Sequence, residues 1–122
     1  MIYKTKVFAT LTKKEPLSDA ALIKACKELN EGLFDADLGG NVYKKRIASG
    51  NKGKSGGYRT IVGTVIGSKY FFLYAFAKSD RANINSKEKL ALKELAKEFL
   101  ALSVDELNQL VKEGELVEVG NV

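Results

Sequence analysis

Histidine is absent from this chain of 122 residues, and so is tryptophan; cysteine, proline and methionine each occur once. Without histidine no imidazole can act as base, acid or metal ligand. With a single cysteine a tetrahedral zinc site is excluded as well. Cys26 cannot form an intrachain disulfide, which fits a reducing cytosol. Its place on an apolar helical stripe makes it a small core residue. Long apolar runs are missing too. The longest, Tyr70 to Ala77, falls far short of the ~20 residues of a membrane-spanning helix. Met1 leads straight into a mixed charged and apolar pattern, so no secretory signal is read. What remains is ordinary for a globular chain: 45% hydrophobic and 29% charged residues, enough for one domain with one proper core.

Acidic residues are nearly absent from one stretch. Between Asn41 and Arg81 stand nine basic residues and one acid, Asp80, a local charge of +8; the rest of the chain has 11 basic and 14 acidic residues, or −3. Such segregation points to an anionic partner.

Met1 to Ala9 reads as a strand, since Ile2, Lys4, Lys6 and Phe8 alternate with Tyr3, Thr5, Val7 and Ala9. Ser18 and Asp19 open a helix whose stripe is Leu22, Ile23, Cys26 and Leu29, with Gly32 as its stop. Leu33 to Asn41 reads as a connection. Three strands follow: Val42 to Ala48, Gly57 to Ile66 and Lys69 to Ala77. The first two are joined by the glycine-rich turn 49–56 and the last two by Gly67-Ser68. Apolar residues on both sides of the last strand suggest a central position. Asn85 with Glu88, and Ser103 with Glu106, read as capping boxes that open two further helices. The tail from Glu115 is an edge strand or disordered. The order implies a single domain over 1–122, with 103–122 its C-terminal helix and tail. The expected fold is α+β: a compact antiparallel-rich sheet of about four strands, with helices on one face and the charge on the other.

Gly53-Lys54-Ser55 lacks the glycine that a Walker loop needs five residues earlier, where Ala48 stands, and a strand follows instead of a helix. A glycine-rich basic loop can still hold a phosphate through its N–H groups. The acids sit mainly in the helical regions, so paired-carboxylate hydrolysis and a carboxylate magnesium site are disfavoured. Arg46, Arg59 and Lys78 lie on successive strands. If neighbours, they crowd one another until an anion arrives, and guanidinium forks suit a phosphodiester. Tyr43, Tyr58, Tyr70 and Tyr74 are interleaved, as in sheets that stack bases.

The runs Lys44-Lys45-Arg46-Ile47-Ala48-Ser49 and Lys52-Gly53-Lys54-Ser55-Gly56-Gly57-Tyr58-Arg59 resemble the central signature of RelE/HigB-type toxins of bacterial toxin–antitoxin systems. Phe71 to Lys78 and Ser79-Asp80-Arg81-Ala82-Asn83-Ile84 continue the resemblance. It implies the RelE/ParE fold and a ribosome-dependent mRNA endoribonuclease that acts in the ribosomal A site, needs no metal and takes no cofactor. It implies a cognate antitoxin, often a helix-turn-helix repressor, and no membrane. The family's basic positions map to Arg46, Lys54, Arg59 and Lys78. Many members add a tyrosine or histidine near the C-terminus; this chain has no tyrosine after Tyr74.

The reaction so implied is attack of an RNA 2′-OH on the adjacent phosphate. Arg46 and Arg59 are expected on the phosphate, Lys54 as base or phosphate ligand, and Lys78 or Arg81 as proton donor or clamp. Lys44, Lys52, Tyr58 and Arg81 are the expected RNA contacts. Arg59 is expected to face outward from its strand. Two other classes share these features: a ParE-like gyrase inhibitor, and a non-catalytic RNA- or ribosome-binding module.

Overall fold

A computed structural model describes residues 1–48 and 57–120; the turn expected at 49–56, with Lys52 and Lys54, lies outside the described residues. The chain starts with strand β1 (Ile2–Thr5) and turns at once into helix α1 (Lys6–Leu11). The strand expected to Ala9 stops early because the Thr5 hydroxyl accepts from the Phe8 N–H and caps a helix. Helix α2 (Asp19–Asn30) opens on Ser18, whose hydroxyl accepts from Ala21 N–H, and Gly32 follows it at φ +80°. Strands β2 (Ala36–Gly39), β3 (Val42–Ile47), β4 (Tyr58–Val65) and β5 (Lys69–Ala77) come next. Helices α3 (Ser86–Leu100) and α4 (Val104–Lys112) both open with the expected capping boxes, and β6 (Leu116–Glu118) ends the described chain. No helix among the described residues is long and apolar enough to cross a membrane.

The six strands form one sheet in the order β2-β3-β4-β5-β1-β6. Every pairing is antiparallel except β1 with β5. The α+β class and the antiparallel-rich sheet stand as expected. The strand count is six because β2 arises from the segment read as a connection, and the tail supplies an edge strand. Gly39, Gly40 and Asn41, all at positive φ, make the β2–β3 turn.

Helices cover both faces, a correction to the single covered face expected. On one face Phe8 of α1 and Leu22, Cys26 and Leu29 of α2 pack against Ile47, Val62, Tyr70 and Phe72. On the other, Ala96 of α3 and Leu107 of α4 pack against Tyr3, Val42, Ile61, Phe71 and Leu73. The reason is β5 itself: an apolar run that projects to both sides must be covered on both. Cys26 is part of the first core, and burial pushes its thiol up to about 12, which makes it inert.

A bulge interrupts the β4–β5 ladder. Ile61 pairs with Tyr74 while Val62 pairs with Phe72, leaving Leu73 extra. Leu73 and Tyr74 therefore both lie on the α3 side, and the strand beyond them is shifted in phase. The shift puts Phe76, the partner of Arg59, on the α3 side as well.

Gly63 lets α3 come close. A Cβ there would sit 2.8 Å from Ala96 Cβ. Gly63→Ala should destabilise the fold by about 1–3 kcal/mol, the usual range for overpacking. The check is its denaturant midpoint against that of the parent.

Candidate functional site

The register of β3, β4 and β5 sets three side chains in a row. Arg46 stands directly opposite Arg59, and Arg59 opposite Phe76. Their neighbours Ile47, Tyr58 and Ala75 belong to the α2 side, so the row lies on the α3 side, beyond the start of α3. Like charges facing across strands repel, so something must compensate them.

Arg46 has compensation. Its Nε lies 3.2 Å from Asp35 Oδ1, and its backbone N–H donates to Asp35 Oδ2 at 2.6 Å. Its side chain is 46% exposed. Arg59 has none. It is only 8% exposed, it has no acidic partner among the described residues, and its buried Nη1 has no hydrogen-bond partner. The expectation of an outward-facing Arg59 is corrected: its stem is packed in the sheet surface, where a charge is costly without a counter-charge.

Arg81 completes the row. Its guanidinium lies over the Phe76 ring, 5.7 Å from the centroid. Nη1 donates to Glu88 Oε2 at 2.8 Å and Nη2 to Glu88 Oε1, while Nε donates to Asn83 O at 3.0 Å. Tyr74 is a lesser contributor to the electrostatics of both groups. The hydrogen bond from Arg81, with that from Asn85 N–H, holds the Glu88 carboxyl down at about 2, and Glu88 in turn raises Arg81. A guanidinium so held is a poor proton donor.

The pair sets an acid limb of stability. Glu88 titrates lower in the fold than its ordinary value of 4.5. Its contribution is therefore full above about pH 4.5 and lost as pH falls towards 2. Glu88→Gln should flatten that part of the melting temperature against pH profile; an unchanged profile would contradict the bridge.

Beside this row the outer edge of β5 is free of β1, whose pairing ends at Phe72. An open cleft of about 410 Å³ runs along that edge. Its walls are Leu11 at the end of α1, Lys14 and Glu15 beyond it, Gly57 and Tyr58, the β5 residues from Tyr74 to Ala77, and Ser79, Asp80 and Arg81. Gly57 is required for the close start of β4: a Cβ would fall 2.0 Å from Ile47 O.

The expected site residues separate on this frame. Arg46, Arg59 and Arg81 share the row. Lys44 is half-buried two residues before Arg46 on the same face. Lys78 is exposed just past the end of β5, outside the row. Tyr58 is buried in the α2-side core and shows only part of its surface to the cleft, so it offers no open stacking face. Lys52 and Lys54 lie outside the described residues. Lys45, counted in the basic segment, is buried and paired with Glu28 at 2.9 Å, which removes it from any RNA contact.

Two residues of the site were not singled out from sequence. Asp35 sat in a segment read as a connection. Glu88 was read only as a cap, which it also is. Tyr74, read as one of four interleaved tyrosines, reaches the α3 side through the bulge, a feature without a signal in the strand pattern.

The family profile described as "RelE toxin of RelE / RelB toxin-antitoxin system" matches residues 1–119. The chain belongs to the RelE toxin family. It is therefore a toxin of a toxin–antitoxin system, and membership implies an antitoxin as partner. No curated protein matches this RelE-family toxin.

Proposed function

We propose that this toxin is a ribosome-dependent endoribonuclease that cuts messenger RNA and so arrests translation. The observation that carries the reading is Arg59: a nearly buried arginine facing Arg46, with no acidic partner among the described residues and a buried Nη1 that has no hydrogen-bond partner. A phosphodiester anion arriving on the row would supply the missing acceptor and relieve the repulsion.

In the proposed reaction the 2′-oxygen of one ribose attacks the adjacent phosphorus. The P–O5′ bond breaks, leaving a 2′,3′-cyclic phosphate and a free 5′-OH. Arg46 and Arg59 hold the non-bridging oxygens. Lys54 takes the 2′ proton or acts as a further phosphate ligand, and Lys78 protonates the departing 5′ oxygen or clamps the phosphate. No cofactor and no metal are assigned. Lysines are imperfect acids and bases at neutral pH, so much of the rate should come from alignment on the ribosome. The antitoxin is proposed to be a helix-turn-helix protein.

The test is induced expression followed by mapping of message ends. Codon-linked cuts bearing 5′-OH ends are expected, with naked RNA cut slowly. DNA-damage signalling with intact messages would overturn the reading in favour of gyrase inhibition.

A further inference from the structure

Arg81 differs from the other two arginines of the row in how its donors are used. A guanidinium has five N–H groups. In Arg81 the Nε–H and one on each terminal nitrogen are directed back at the protein, to Asn83 O and to both oxygens of Glu88. The face of the group is against Phe76. A phosphate could bind it bidentately only by displacing the Glu88 carboxylate or the Asn83 carbonyl.

The same contacts tie down a segment. Asp80 N–H and Arg81 N–H both donate to Ala77 O, at 3.0 and 3.2 Å, closing a turn at the end of β5. From there the Arg81 side chain reaches forward to Asn83 and to α3. Glu88 Oε1 also accepts from Asn85 N–H at 2.9 Å. One carboxylate thus joins the segment, the helix cap and the guanidinium. That segment begins with Lys78, and its Ser79 and Asp80 wall the cleft.

We propose that Arg81 is a positioning residue that works through Glu88, fixing the segment from Lys78 to Asn85 against the cleft, and that it does not hold the scissile phosphate. The proposal rests on the ribonuclease reading above. Glu88 also compensates the third charge of the row, so among the described residues Arg59 is the arginine of the row without an acidic partner.

Glu88→Gln isolates the bridge. Glutamine also serves the capping box, so the helix start is kept, while the charge and one acceptor of the fork are lost. The assay is single-turnover cleavage on programmed ribosomes, with thermal melting of each variant to confirm folding. Glu88→Gln and Arg81→Ala should each lower kcat by about tenfold or more, as expected for a displaced catalytic wall, with KM little changed. Glu88→Gln cutting as fast as the parent, or a loss carried in KM with kcat unchanged, overturns the positioning role. A parent that does not cut overturns the ribonuclease reading, and this role with it.

Discussion

Arg59→Ala should abolish message cleavage and growth arrest while the chain stays folded. The loss of activity should be on the order of a hundredfold to a thousandfold, the scale for removing one donor to developing charge in a shielded site. Stability should behave differently because the contributions oppose. Alanine gives up the packing of the arginine stem against the sheet. It also removes a cation facing Arg46 and a buried donor without an acceptor, the latter alone worth about 1–3 kcal/mol. Arg59→Met refines the test. It keeps most of the stem and drops the charge, so it should melt no lower than the parent while being as inactive as alanine. Arg59→Lys should rescue poorly, since an ammonium cannot make the forked contact. Full toxicity in the alanine variant would remove Arg59 from the site.

Lys54 carries the second large effect. It stands three residues before Gly57 in the sequence, a tether of about 11 Å at full stretch, and Gly57 opens the strand that bears Arg59. If Lys54 is the base, cleavage should rise with pH until that lysine is neutral. A base placed beside Arg46 and Arg59 would have its midpoint below the unperturbed value of about 10.4, because those cations would disfavour its charged form. With no histidine in the chain, no imidazole titration should appear between pH 5 and 8. Lys54→Ala should cost roughly a hundredfold and flatten the rise. Lys54→Arg should keep phosphate binding and lose base function; a parent-like rate for that variant would reduce Lys54 to a ligand.

The elements legible in the sequence were those with local chemistry to announce them. Ser18, Asn85 and Ser103 cap the helices they were expected to cap, because a cap needs only a side chain and the next turn of backbone. The β3–β4–β5 order followed from turn residues and alternating patterns. Where the reading failed, the deciding contact was distant in sequence. Strand β2 has little intrinsic strand preference, and it forms because β3 offers an edge and Asp35 anchors Arg46. The short β1 is decided by one hydroxyl on Phe8 N–H. For the site, Arg46, Arg59 and Lys78 were placed on successive strands, and the crowding expected of them if neighbours holds for Arg46 and Arg59. That Arg59 is buried and Arg81 already bound could not be read, since both depend on which face the end of β5 presents.

That face begins just past Leu73. In β5 up to Phe72 the pattern of sides is dictated by the two cores, and from Tyr74 onward by the arginine row, with one unpaired residue between the two phases. Leu73 takes up the one residue by which β5 exceeds its partner strand. A chain lacking it could keep β1 paired to Tyr70, Phe71 and Phe72 and close a regular ladder with β4, with Tyr74, Ala75 and Phe76 still opposite Ile61, Thr60 and Arg59 and on their present sides. The α3-side core would lose a leucine side chain, while Arg81 kept the ring beneath it and Arg59 its cross-strand neighbour. For this toxin the bulge is slack of one residue: removing it should lower stability and spare the arginine row.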